Sequence, residues 1–228
     1  MPLIIDVALP NLDLGGAISL CLALENALAS RLDTRQLTYI KSFALREPAI
    51  RARLSRLLAR AAALRFLPSG AKIQSNDRRL FSLPAGGSLS FSHPAHRAFV
   101  ALHEDGVAAV DSEMIDAATL PAIASLALKY SPKASIASGL HILRVWTIFE
   151  TAVKLLGESE TASIAKNVFG SELKELKWRG KTRVAGRDLR WISFKKDKYI
   201  VTLGAFSDLP NLAPKFVSLD WRELKRDL

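Results

Sequence analysis

The sequence predicts an α+β fold. Two observations carry this: long stretches of helical apolar spacing precede a cluster of short strand-like runs, and the same order recurs later without any repeat of sequence. A β-branched run at residues 3–9 reads as an opening strand. Residues 17–32 and 34–66 carry helical spacing, and the second stretch is broken before Pro48, whose ring cannot continue a helix. Strands are expected at 89–92, 97–103 and 107–113, with Glu104-Asp105-Gly106 as a hairpin turn joining the last two. Helices are expected at 117–129 and 140–156, and a further one at 160–168. Late strands at 189–194 and 199–206 flank the turn-like segment 195–198.

At 228 residues, 49% hydrophobic and 24% charged, the chain can bury one large core or two small ones. Its longest apolar window, 17–29, is interrupted by Ser19, Glu25 and Asn26, so no membrane span is expected. The amino-terminal run has no basic region ahead of it, so no secretory signal is expected either. A single cysteine, Cys21, excludes an intrachain disulfide and fits a reducing, cytoplasmic setting; within an apolar helical run it reads as core.

The net charge of +10 is uneven. Residues 31–79 hold twelve Lys plus Arg against three acids, a balance of +9, and residues 171–228 hold fourteen against eight, a balance of +6. Such flanks suit anionic ligands or an acidic protein partner. Nucleic acid is not the expected partner, because the chain has no nucleic-acid module signature, no CxxC pairs and no aromatic-rich stacking motif.

The slightly negative segment between the flanks carries the chemistry. Val107-Ala108-Ala109-Val110 leads into Asp111-Ser112-Glu113, so strand alternation puts Asp111 and Glu113 on one side. Trp146, Glu150 and Lys154 recur every four residues and share one helix face. Three carboxylates supply hard oxygen ligands of the kind magnesium takes together with waters and substrate phosphates. Each feature alone has an ordinary reading: Asp-x-Glu as a solvated strand end, Glu150 with Lys154 as a helix surface pair, His93 as a core histidine, Trp146 as core packing.

Taken in order, three segments resemble the Sfp-type 4'-phosphopantetheinyl transferases: Ser90-Phe91-Ser92-His93-Pro94, then Val110-Asp111-Ser112-Glu113, then the helix Trp146 to Gly157 with Glu150 and Lys154. Arg51, Arg56 and Arg60 resemble the family's arginine-studded helix more weakly. The resemblance covers about residues 46–157. It implies two similar α+β halves about a pseudo-twofold axis, 1–105 and 106–228, with the active site in the cleft between them and a monomeric state. It implies transfer of the phosphopantetheine arm of coenzyme A to a serine of an acidic acyl or peptidyl carrier protein. In that reading Asp111, Glu113 and Glu150 hold magnesium, Glu150 and Lys154 are catalytic, and His93, Lys154, Arg51 and Arg78 contact the coenzyme phosphates.

The chain departs from the family pattern at Pro94, Ala109, Ser112, Thr151 and Phe149, the last standing where the family has lysine. The glycine-lysine-glycine run that follows the family's helix is replaced by Gly157-Glu158-Ser159-Glu160. Helical angles place Phe149 at the pocket edge. Removing Asp111 or Glu113 is expected to leave stability unchanged or raise it, by relieving repulsion. A transferase-like protein that only binds carriers, and a basic nucleic-acid-binding module, are the alternatives.

Overall fold

A computed structural model describes residues 1–75, 80–83, 86–116, 120–130, 138–172, 177–206 and 212–226. The elements in order are β1 (Leu3–Ala8), α1 (Leu14–Leu28), α2 (Thr34–Lys41), α3 (Ala49–Arg65), β2 (Gln74–Ser75), β3 (Leu80–Ser82), β4 (Ser88–Ser92), β5 (Arg97–His103) and β6 (Ala108–Met114). After these come α4 (Leu120–Tyr130), α5 (Gly139–Leu156), a 3-10 turn (Glu158–Glu160), α6 (Thr161–Glu172), β7 (Arg179–Val184), β8 (Arg187–Lys196), β9 (Tyr199–Phe206), β10 (Lys215–Leu219) and α7 (Trp221–Arg226). Side chains start three of the helices: Asp13 caps α1 through Gly16 N at 2.8 Å, Asp33 caps α2 through Gln36 N at 2.7 Å, and Ser138 caps α5 through His141 N at 3.2 Å. Gly157, at φ +101°, ends α5 in a conformation that favours glycine.

The expected α+β class holds, and the strands fall into two sheets, β10-β1-β5-β4-β3-β2 and β6-β9-β8-β7. Alternation along the strands sorts the side chains into layers. Ile5, Val7, Val100 and Leu102 pack with α1 and α3, including Leu24, Leu28, Leu54 and Leu58. Ile4, Phe99 and Ala101 face the second sheet, where they meet Val110, Val201 and Leu203. The other face of the second sheet carries Ala109, Leu189 and Trp191 against Ile148, Ala152 and Phe169 of α5 and α6. The order of layers is therefore helix, sheet, sheet, helix.

Three expectations change. No hairpin joins β5 to β6: β5 pairs with β1 and β4, whereas β6 pairs with β9, so the turn after His103 carries the chain from one sheet to the other. β7 and β10 were not expected as strands. β10 brings the chain back from the second sheet to the first, pairing parallel with β1 from Leu3↔Lys215 to Val7↔Leu219, so the last elements of 106–228 build the sheet of the first half.

The junction of the sheets is unusual. Ser88, Ser90 and Ser92 alternate along β4 and point at β6, an edge strand of the second sheet. Their hydroxyls accept from the N–H groups of Ala108, Val110 and Ser112 at 3.0, 3.1 and 3.0 Å, and Ser88 and Ser90 donate back to the carbonyls of Ala108 and Val110 at 3.2 and 3.4 Å. A row of side chains thus satisfies the backbone groups that an edge strand leaves open.

Ser90→Ala leaves the Val110 N–H, in a fully buried residue, without its acceptor and is expected to cost about 1–3 kcal/mol in denaturant unfolding. An unchanged unfolding midpoint would show that the serine row does not hold the sheets.

Candidate active site

The serine row ends at a cavity of about 590 Å³, lined by residues from α2, α3, β3, β4, β6 and α5. Its volume falls in the range of small-molecule sites. One side is acidic: Asp111 and Glu113 project from alternate positions of β6, and Glu150 projects from α5. The other is basic and aromatic, formed by Tyr39, Arg56, Arg60, Phe81, Phe91 and His93. Lys154 also lines the cavity, so all three sequence segments meet in one place.

Lys154 does not reach freely into this space. Its ammonium, buried between α5 and the sheet junction, donates to Phe91 O at 3.1 Å, Val110 O at 2.8 Å and Asp111 Oδ1 at 2.8 Å. Those three bonds use every donor an ammonium has. Asp111 Oδ1 also accepts from Ser92 Oγ at 3.1 Å, while Asp111 Oδ2 is buried without a hydrogen bond. Removing Asp111 would strand a buried ammonium, so the expectation of unchanged or higher stability is reversed by this pairing.

Glu113 is held by Trp146, whose indole Nε1 donates to Glu113 Oε1 at 3.3 Å. Burial, then the Asp111 carboxylate, and to a lesser degree Glu150, push the Glu113 carboxyl up to about 7. Trp146 thereby does more than pack: it orients an acidic group in the cavity.

On the basic side, Arg60 is buried, donating to Gln36 Oε1 at 3.0 Å and to the Arg56 carbonyl at 3.1 Å, with its guanidinium 4.5 Å from the Phe91 ring centre. Burial, then Arg56, lower its pKa to about 9, and the group remains cationic at neutral pH. Arg56 donates to Tyr39 Oη at 3.1 Å and lies 4.1 Å from the Phe43 ring centre. Among the described residues neither arginine has a carboxylate partner. His93 shares a 3.1 Å hydrogen bond with Ser55 Oγ, and burial followed by Arg60, Arg56 and Lys154 keeps its ring neutral.

Two other expected residues lie elsewhere. Arg51 turns away from the cavity to Glu47 at 3.1 Å and the Leu12 carbonyl at 3.2 Å, and Arg78 lies outside the described residues. Phe149 is not at the pocket edge. It is 4% exposed, with its ring 5.3 Å from both Trp146 and Phe169, because the face of α5 that meets α6 claims it. Cys21 is a core residue whose thiol burial pushes up to about 12.

Among the described residues no three His, Cys, Asp or Glu side chains are gathered as a ready-made metal cage. The donor set nevertheless fits a hard cation. Asp111 Oδ2 is an unmet buried acceptor, Glu113 is destabilised as an anion by burial and by the Asp111 carboxylate, and Glu150 faces the same space. Magnesium usually binds through one or two carboxylates and keeps several waters, so a dispersed set is compatible with it. No protein-family model matches the chain, and no curated protein matches it.

Phe149→Lys would bury an ammonium against Phe169 and is expected to destabilise the protein by more than about 3 kcal/mol in thermal or denaturant unfolding. A variant as stable as wild type would place the side chain in solvent.

The raised Glu113 carboxyl means that folding favours its protonated form. Its contribution to stability is full below about pH 4.5 and is lost as pH rises through about 7. Glu113→Gln is neutral throughout and should flatten the fall in stability over that window; an identical pH profile would rule out the shift.

Proposed function

We propose that the protein transfers the 4'-phosphopantetheine arm of coenzyme A to the serine of an acidic acyl or peptidyl carrier protein. The observation that supports this most is the two-sided cavity, which joins three carboxylates to an arginine pair across one space. A substrate with a pyrophosphate and a further phosphate needs both sides: cations for the anionic oxygens, and carboxylates where a divalent cation shields the reacting phosphorus.

Magnesium, held by Asp111, Glu113 and Glu150, would supply charge neutralisation at the pyrophosphate. Arg60 and Arg56 would bind phosphate oxygens, and Arg60 gains most because its buried guanidinium has, among the described residues, no carboxylate hydrogen-bonded to it. Neutral His93, beside Arg60, would donate one hydrogen bond to a phosphate oxygen without adding charge. Phe81 and Phe91 line that side with apolar rings. Lys154 is a positioning residue: it fixes Asp111 and ties α5 to the sheet junction instead of contacting phosphate.

The carrier serine oxygen would form a new bond to the phosphorus bearing the pantetheine arm. The bond from that phosphorus to the bridging oxygen breaks, releasing adenosine 3',5'-bisphosphate, and the serine proton passes to Glu150 or Glu113. Such transfer rests on positioning and charge more than on covalent catalysis by the protein.

Incubation with coenzyme A, magnesium and an apo carrier protein, followed by intact-mass measurement of the carrier, tests the reading. A gain of one phosphopantetheine arm is expected, and its absence over a panel of carriers would reject transfer. Glu150→Gln and Arg60→Met are expected to lower the rate by at least about a hundredfold. Lys154→Met is expected to lose about 3–5 kcal/mol of stability as well as activity, because Asp111 is left buried and unpaired.

A further inference from the structure

The inner half of the second sheet faces the first sheet, and its outer half does not. Val201, Leu203 and Ala205 of β9 are buried between the sheets, Ile192 and Phe194 of β8 lie at the border of that core, and Arg179, Lys181 and Arg183 of β7 are exposed. The strand pairing aligns these residues in rows on one face: Leu203, Ile192, Arg179, then Ala205, Arg190, Lys181. Arg183 stands opposite Asp188. Among the described residues these rows set four cations beside one carboxylate, Asp188, which takes Lys181 Nζ at 2.6 Å and is held below its ordinary range first by Lys181 and further by Arg183 and Arg190.

Cations on an edge strand are a common guard against unwanted strand pairing, and that accounts for β7. It does not account for Arg190 on the interior strand β8, directly opposite Lys181, because like charges in that relation destabilise a sheet. Nor does it account for the aromatic pair at the border. Phe194 packs edge-on against Phe216 of β10 at 5.0 Å, and Phe216 is left 37% exposed. The two aromatics come from strands remote in sequence, so no linear motif announces them.

We propose that this face of β7 and β8 binds single-stranded nucleic acid, with phosphates on Arg179, Lys181, Arg183 and Arg190 and a base against Phe216. Alternate residues of a strand lie about 6.7 Å apart, comparable to successive phosphates of an extended polynucleotide. Basic tracks beside exposed aromatic rings are the recurring means of holding single strands. An acidic protein would use the charges but has no need of the ring. The surface is on the opposite side of the second sheet from Asp111, Glu113 and α5, so this inference stands apart from the transferase reading.

The test is fluorescence anisotropy of a labelled oligothymidylate with the full chain at several salt concentrations. Binding is expected, with a slope of log affinity against log salt of roughly −2 to −3 for three to four phosphates. The double variant Arg179→Glu/Arg183→Glu is expected to weaken binding at least tenfold while remaining as stable as wild type in a thermal melt. Phe216→Ala is expected to weaken binding at least about fivefold while leaving the low affinity for polyglutamate unchanged. No binding at low salt, or a double variant that binds like wild type, overturns the proposal. Polyglutamate bound as tightly as the oligonucleotide, with Phe216→Ala indifferent, overturns it in favour of an acidic protein. Phosphopantetheine transfer by Phe216→Ala should match wild type, so a failed transfer assay leaves the anisotropy result to be judged alone.

Discussion

The structure depends on how one edge strand is satisfied. β6 reaches the boundary between two sheets with alternate N–H and C=O groups facing β4, and the hydroxyls of Ser88, Ser90 and Ser92 stand in for a neighbouring strand. Hydroxyls both donate and accept, so one side chain serves an N–H and a carbonyl together. The spacing of two residues matches on both strands, and the sheets are thereby registered as well as joined. Lys154 ends the row from the helix side by bonding the carbonyls of Phe91, on β4, and Val110, on β6. Asp111 sits where serine row and lysine converge, which fixes one of its oxygens and leaves the other buried without a hydrogen bond.

This arrangement explains the division of charge in the cavity. Carboxylates come from the second sheet and its helix, and arginines come from α3 behind the first sheet. Neither layer alone holds both signs close together. Burial, and then like-charged neighbours, disfavour the charges on each side: Glu113 resists ionising in its buried place near Asp111, and Arg60 is buried beside Arg56. A ligand that brings a cation to one side and anions to the other relieves both strains at once. The same separation keeps Arg60 from collapsing onto the carboxylates.

The residues that meet in the cavity were legible where a local pattern fixed their direction. Strand alternation placed Asp111 and Glu113 together, and the four-residue spacing placed Trp146, Glu150 and Lys154 on one face. The arginines of α3 were harder, since charges occur all round that helix and periodicity does not tell which is covered. Packing of Gln36, Phe81 and Phe91 selects Arg60, and the loop at Glu47 takes Arg51. Phe149 was misplaced because helical angles permit two faces and only the position of α6 decides. Glu104-Asp105-Gly106 bends the chain but makes no hairpin, because its flanking strands choose remote partners and a local signal carries no information about those. β10 escaped notice for the same reason: its partner β1 lies at the other end of the sequence.

That pairing sets a condition on folding order. β1 is an interior strand, with β5 on one side and β10 on the other, and Lys215 N also bonds the Pro2 carbonyl at 3.0 Å. During synthesis β1 keeps an open flank until β10 has been made. The contact it awaits is among the longest-range the chain contains, and such contacts slow folding through the entropy of closing the intervening loop. α7 then lies on α3, with Glu223 bonded to Arg65 at 3.0 Å, so the helix that carries Arg56 and Arg60 receives its final support last. The cavity is therefore complete only once β10 and α7 have been made, because α3, which carries Arg56 and Arg60, lacks its support from α7 until then.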